Sequence, residues 1–413
     1  MIDVSEKLTC RLCMHGDLRS ILKLPDTPLA NDFSVSKTHQ EKFPLEVVLC
    51  RACGHSQLRH VVDPRLMFSD YRYVSGTSPS FVKHFEEYAQ AMSTKLGSVN
   101  RKPFVVELGS NDGTLLKSVQ RLGFRVLGVE PAQNLATTCG VPTVCDFFGE
   151  GTAGQIRDNY GLADVIVANN VLAHIDDLDA VMRGVKRLLA PDGFLVLEVQ
   201  YLGALLETGA FDLCYHEHLD YHAVAPLVGF LRRHELQLFD VDKVPTHGGS
   251  IRCWVQHIGG PYQPQPKNLS ELIEAEELHG ILDGTGWLGV AAMVQQTKTE
   301  LRTIIDTYKA GRANIVAYGA PAKLTTFMYG LGLTADDIDY VVDDAKEKQG
   351  RYTPGLHIPV LPPSTLIDAE RGFPHLCLIS AWNFSIQILE KLKPLMDGGM
   401  HALVPFPTLK VLP

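Results

Sequence analysis

The sequence predicts an α/β protein made of an N-terminal metal-binding module, a central doubly wound sheet and a C-terminal Rossmann-like α/β unit. Three observations carry that expectation. Two CxxC pairs, Cys10-Arg11-Leu12-Cys13 and Cys50-Arg51-Ala52-Cys53, stand at the front of the chain. From about Phe81, apolar strands alternate with amphipathic helices, the pattern of a parallel sheet covered on both faces. After the proline-rich Pro261-Tyr262-Gln263-Pro264-Gln265-Pro266 and a long helical stretch to about Lys309, the alternation resumes. A chain of 413 residues exceeds one ordinary core. The expected units are residues 1–72, 73–262 and 263–413.

In the first unit the paired CxxC motifs have the spacing of a zinc ribbon, so Cys10, Cys13, Cys50 and Cys53 are the expected ligands. Four thiolates suit a tetrahedral Zn²⁺ and close its shell, which makes the ion structural. His55 reads as a neighbour of the site rather than a fifth ligand. The formal charge of −9 and the lack of a basic tract argue against a nucleic-acid partner. No run approaches the roughly 18 apolar residues of a membrane span, and the first twenty residues do not resemble a signal peptide. A cytoplasmic protein with no membrane partner is expected, and a monomer is compatible with the sequence.

In the second unit Phe104 to Leu108 reads as the first strand, Arg125 to Val129 as the second, Asp164 to Ala168 as the fourth and Phe194 to Val199 as the fifth. Ligands of such sheets bind beyond the carboxyl ends of the strands. The first strand runs into Glu107-Leu108-Gly109-Ser110-Asn111-Asp112-Gly113, a glycine turn without the GxGxxG of nicotinamide enzymes. That favours S-adenosylmethionine (SAM). Glu107, Gly109, Asn111, Asp112 and Gly113 would form its cradle, with Asp112 near the amino-acid part. Glu130, ending the second strand, can accept both ribose hydroxyls. Asp146 can meet the adenine amine, Phe147 can stack on the ring, and Asn169 completes the rim.

The segment Cys214-Tyr215-His216-Glu217-His218 packs a phenol, a carboxylate and two imidazoles into five residues, which points to proton transfer. If extended, it would send Tyr215 and Glu217 to one face and His216 and His218 to the other. His218 and His222 have helical spacing, but the order is not HExxH, so a second metal is the weaker reading. His174, just after the fourth strand, is a further candidate, or else a cap beside Asp176 and Asp177. Tyr73, within Tyr71-Arg72-Tyr73-Val74-Ser75-Gly76-Thr77-Ser78, could close over the ligand as a hydrogen-bond donor. In the third unit, Asn314 to Tyr318 and Tyr340 to Asp344 read as strands. Gly319-Ala320-Pro321-Ala322-Lys323 offers small residues and a lysine at a helix start, a phosphate cradle by its chemistry.

The order of these motifs, together with Pro245-Thr246-His247-Gly248-Gly249-Ser250-Ile251-Arg252 and Tyr318-Gly319-Ala320-Pro321-Ala322-Lys323, resembles the sugar C-methyltransferases that act on nucleotide-linked 4-keto-deoxysugars, along essentially the whole chain. That resemblance implies a class I SAM-methyltransferase sheet in the centre and methylation at C3 through an enolate. It implies His218 as the base, with Tyr73, His174, Tyr215 and Glu217 beside it. It assigns sugar-nucleotide binding to Tyr318, Ala320, Lys323, His247, Arg252 and Arg351. Two other readings stay open at this level: O- or N-methyl transfer to a small acceptor, and a non-catalytic zinc and nucleotide adaptor.

Overall fold

The computed structural model describes residues 4–68, 71, 74–77, 79–97, 101–368 and 373–413. Tyr73 therefore lies outside the described residues, as does the side chain of His247.

The strand Phe104–Leu108 is buried along its whole length. Such a run has no solvent face and belongs in the middle of a parallel sheet. It lies there, in a seven-stranded sheet ordered Leu236–Val244, Ser250–His257, Leu189–Gln200, Ala163–Asn169, Phe104–Leu108, Arg125–Val129 and Thr143–Val144. Only Ser250–His257 runs antiparallel to its neighbours. The helix Leu178–Leu188 shows how the layers close. Its cap Asp177 accepts the Ala180 N–H, and Leu178, Val181, Met182, Val185 and Leu188 form one buried stripe against the sheet.

The C-terminal sheet follows the same logic, with Pro359–Leu361, Tyr340–Val342, Ile315–Tyr318, Leu376–Ile379 and His401–Val404 parallel and an antiparallel strand at each edge. The helical stretch expected before it is broken into Pro266–Leu278 and Thr285–Ala310 by a bend holding Gly280 and Gly284, both at positive φ. The first of these helices packs back on the central unit. There buried Glu276 accepts the N–H groups of Val224 and Ala225 at 2.6 and 2.9 Å, supplying the helix Val224–Arg233 with a cap that its own sequence lacks.

The N-terminal module is antiparallel: Leu18–Thr27, Phe43–Cys50 and Ser56–Leu58 pair in turn. Its fourth strand, Asp220–Tyr221, comes from the middle of the chain. One hydrophobic cluster joins Leu22, Leu24 and Val47 of this module to Leu205, Phe211 and Leu219, and on to Trp287, Phe327, Trp382 and Phe406 of the C-terminal unit. The segment carrying the candidate catalytic residues thus lies inside a core shared by three units. Among the described residues no helix is long and apolar enough to cross a membrane.

Candidate active site

The metal site assembles from two matching turns. Cys10 and Cys50 each accept the backbone N–H four residues on, from Met14 and Gly54, whose positive φ closes each knuckle. All four sulfurs lie within 4.8 Å of one another, with Cys10 Sγ to Cys53 Sγ at 3.6 Å and Cys13 Sγ to Cys50 Sγ at 3.5 Å. A tetrahedral Zn–S length of about 2.3 Å asks for sulfurs about 3.8 Å apart, so the four fit the ion. Burial pushes the Cys50 thiol up to about 11. Four thiolates this close need a cation between them.

His55 is fully buried rather than a ligand, its Nε2 2.7 Å from Asp220 Oδ1. Arg11 adds a bond from Nη1 to the Leu219 carbonyl at 3.3 Å, and Leu58 N–H donates to the same carbonyl. The zinc module is therefore tied to the residues that follow His218.

At the carboxyl end of Phe104–Leu108, Gly109 and Gly113 adopt φ of 64° and 73°. A Cβ on Gly109 would stand 2.8 Å from Val171 Cγ2, and one on Gly113 2.9 Å from Val141 Cγ2, so neither position accepts a side chain. Gly109 borders a small pocket lined also by Ser75, Glu107, Asn111, Asp112 and Asn169, among others. Asn169 Nδ2 donates to Glu107 Oε1 at 3.3 Å. The other Glu107 oxygen and the Asn169 oxygen are buried without a partner among the described residues, ready for a polar ligand.

Glu130 differs in detail from the expectation. Its two oxygens accept the N–H groups of Asn111 and Ala132 at 2.8 and 2.9 Å, so only the remaining lone pairs are left for hydroxyls. Asp112 likewise accepts Gly76 N–H at 3.1 Å and Thr114 Oγ1–H at 2.6 Å, while Asn111 Oδ1 accepts Ser75 N–H. The turn Ser75–Thr77 is thereby docked on the glycine loop. Asp146 is exposed, and Phe147, 48% exposed, is an accessible ring rather than core packing.

The catalytic candidates do not form an extended strand. Residues 215–218 make a tight turn in which His218 N–H donates to the Tyr215 carbonyl at 2.8 Å. The alternation expected of a strand is therefore replaced: Tyr215 and His218 face each other, with ring centroids 4.2 Å apart and Tyr215 Oη 2.9 Å from His218 Nε2. His218 Nδ1 lies 2.9 Å from the Leu213 carbonyl. A carbonyl can only accept, so Nδ1 carries the hydrogen and Nε2 is the basic nitrogen. His174 packs edge-on to His218 at 5.2 Å and is not a helix cap, a place that Asp177 takes. His216 turns away, buried against Phe43, and burial lowers it to about 4. His222 is buried beside His55, away from a helical pairing with His218, and the cysteine cluster is the one candidate metal group among the described residues.

Glu217 is held by Asn31 Nδ2 at 2.7 Å and Tyr71 Oη at 3.3 Å, so His218 is oriented by Leu213 and Tyr215 instead of by Glu217. Burial pushes the Glu217 carboxyl up to about 7. For an acid raised in the folded state, folding takes up a proton between the unfolded value, about 4.5, and about 7, so stability falls as pH rises through that window and is level above it. Glu217→Gln is expected to remove this fall, melting at a higher temperature than the parent at pH 8 with the difference shrinking toward pH 4.5. Thermal unfolding of both proteins across that range checks it.

Several substrate candidates are engaged elsewhere. Lys323 is 6% exposed, its Nζ 3.0 Å from Asp212 Oδ2 and 3.9 Å from the centre of the Trp382 ring. Ala320 N–H is bonded to the Asp343 carboxylate at 2.5 Å, and Gly319 N–H to the Val342 carbonyl. The expected phosphate cradle is thus filled by an acidic side chain, which repels a phosphate. Tyr318 Oη reaches Asp344 at 3.3 Å. Arg252, 7% exposed, forks onto Glu198 at 2.8 and 3.0 Å and stacks on Tyr88, a packing role inside the central unit. Arg351 bonds the carbonyls of Glu347 and Phe33. Asn31 and Tyr71, which hold Glu217, and Phe68, edge-on to His174 with ring centroids 5.4 Å apart, were not among the expected site residues. Tyr71 had a hint in its hydroxyl-rich neighbourhood, whereas Asn31 lies on a loop with no pattern of its own.

The chain matches family models laid end to end: a zinc binding domain over residues 10–68, a methyltransferase domain over 82–241 and a C-methyltransferase C-terminal domain over 245–407. With the doubly wound sheet and its glycine turn, these define a class I SAM-dependent methyltransferase carrying a structural zinc site. C-methyltransferase NovU of Streptomyces niveus is 32% identical over 409 residues, spanning 98% of this chain and 96% of NovU. The chain belongs to that C-methyltransferase family, and its cofactors are SAM and Zn²⁺. A ubiquinone biosynthesis O-methyltransferase of Xanthomonas oryzae pv. oryzae is 27% identical over 157 residues, covering 33% of this chain and 64% of the relative. Among solved structures, the 1,6-didemethyltoxoflavin-N1-methyltransferase of Burkholderia thailandensis covers 42% of this chain and 77% of its own, at 18% identity and a TM-score of 0.32.

Proposed function

We propose that this C-methyltransferase acts in the cytoplasm on a nucleotide-linked 4-keto-deoxysugar and methylates C3, after His218 has removed the C3 proton. The observation that supports it best is the state of His218: Nδ1–H is committed to the Leu213 carbonyl, and the basic Nε2 meets the Tyr215 hydroxyl. Carbon must become nucleophilic before it can be methylated, and a hydrogen next to a ketone is acidic because the charge left behind spreads onto oxygen. An imidazole whose Nδ1–H is fixed by a carbonyl keeps its basic lone pair on Nε2, beside the Tyr215 hydroxyl, and is suited to that step. Tyr215 can share the proton through its hydrogen bond, and His174 stands close enough to His218 to help bind the enolate oxygen, a part Tyr73 could also take.

When bound, SAM supplies an electrophilic methyl on a sulfonium. Glu107, the glycine turn, Glu130 and Asn169 would hold it, with Asp112, Asp146 and Phe147 at its edge. The sugar assignment rests on the motif order along the chain. Lys323, Ala320 and Arg252 fit it poorly as direct ligands, so Arg351, His247 and Tyr318 are the residues kept for nucleotide binding.

Proton abstraction is separable from methyl transfer. In deuterated water without SAM, a nucleotide 4-keto-deoxysugar is expected to take up deuterium at C3 in the presence of the protein. Methylated product without any such exchange, or product carrying its new methyl on oxygen or nitrogen, overturns the proposal.

A further inference from the structure

The loop after the first C-terminal strand looks in sequence like a phosphate cradle, yet its lysine is buried against the segment that precedes the catalytic turn. Asp212, fully buried in the turn Phe211–Leu213, accepts Trp382 Nε1–H at 2.7 Å and lies 3.0 Å from Lys323 Nζ on the same oxygen. Two residues on, Thr326 Oγ1–H donates to the Cys214 carbonyl at 3.0 Å. One residue before, Phe211 packs against Gly330 so closely that a Cβ there would stand 2.3 Å from Phe211 Cε2. Phe211, Asp212 and Cys214 are thus each gripped by the C-terminal unit. Leu213, between them, carries the carbonyl that holds His218 Nδ1.

A buried ion pair contributes little net stability, because desolvating two charges offsets their attraction; in some proteins its service is instead to fix one geometry. We propose that Asp212, gripped by Lys323 and Trp382, is a positioning residue that sets the Leu213 carbonyl and so selects the Nδ1–H tautomer of His218. Lys323 then serves the reaction through the base and not as a phosphate ligand. The part played in catalysis rests on the reading of His218 as that base.

Thr326→Val deletes one hydrogen bond to the 211–214 turn at nearly unchanged shape, and Trp382→Phe deletes another while keeping an aromatic ring in a smaller side chain. Lys323→Met combined with Asp212→Asn removes both charges, so that neither is left buried alone. In full-length protein labelled with ¹⁵N-histidine, the His218 resonances are assigned by their loss in His218→Gln. The parent is expected to show the Nδ1–H tautomer, and the variants a mixture of tautomers. Turnover should fall by about 10²-fold, the size of effect produced by a misplaced catalytic group, with SAM affinity unchanged. The acidic limb of the kcat profile should move with the tautomer. Variants that keep the parent tautomer, or that lose turnover only in step with melting temperature, overturn the proposal. If His218→Gln keeps full turnover while the tautomer still responds to Asp212, the base assignment fails and the positioning stands.

Discussion

Replacing His218 with alanine is expected to cut kcat by about 10²–10⁴-fold, equivalent to about 3–5 kcal/mol of transition-state stabilisation, and to leave SAM binding intact. The separation follows from the geometry. His218 sits in the turn 215–218, bonded to Tyr215 and Leu213, whereas the cradle around Gly109 and Glu107 is built from the central sheet. Exchange of the C3 hydrogen should be lost together with methyl transfer. Calorimetric titration with S-adenosylhomocysteine beside a product assay measures both halves. Loss of cofactor binding along with turnover would show the residue to be structural, and undiminished exchange would move the base to another group, with Tyr215 the nearest.

Removing the zinc is expected to be as severe, by a different route. A structural site of this kind carries about 10–16 kcal/mol of binding free energy that is also folding free energy. Cys53→Ser, or treatment with a strong chelator, should give a chain depleted of zinc that unfolds at a markedly lower temperature. Turnover should be lost before SAM binding is. The module that would loosen supplies Asn31 to Glu217, His55 to Asp220, and the Leu58 N–H and Arg11 Nη1 to the Leu219 carbonyl, so it holds the turn 215–218 from its downstream side. Zinc content by emission spectroscopy, read against melting temperature and kcat in the same preparations, tests this. Full turnover in zinc-free protein would show that the turn holds its shape without the module.

Both effects come from one arrangement. The short segment 211–222 leaves the central unit, is gripped upstream by Lys323, Trp382 and Thr326, and pairs downstream with the zinc module as Asp220–Tyr221 against Ser56 and Gln57. A turn of a few residues has too few internal bonds to fix two imidazoles and a phenol by itself. Packing it into a core shared by three units offsets the cost of ordering it, and lowers the dielectric enough to bring the Glu217 carboxyl to about 7.

Local patterns and tertiary placement divide cleanly here. Cys10, Cys13, Cys50 and Cys53 were legible because two CxxC turns need only their own four residues each to present sulfurs to one ion. The strands Phe104–Leu108 and Arg125–Val129 and the glycine turn after the first were legible because periodicity and positive φ are properties of adjacent residues. The same pattern misled at Lys323, since a small-residue loop ahead of a lysine looks alike whether it faces a phosphate or a buried aspartate. Which neighbour fills that space is chosen by chain more than one hundred residues away, at Asp212. Likewise Asn31 on Glu217 and the pairing of buried Arg252 with Glu198 arise from contacts between distant segments, where side chains compete for the same few polar atoms once water has been excluded. Sequence alone determined what kinds of chemistry the chain carries and in what order; only the packed structure decided which of those groups meet.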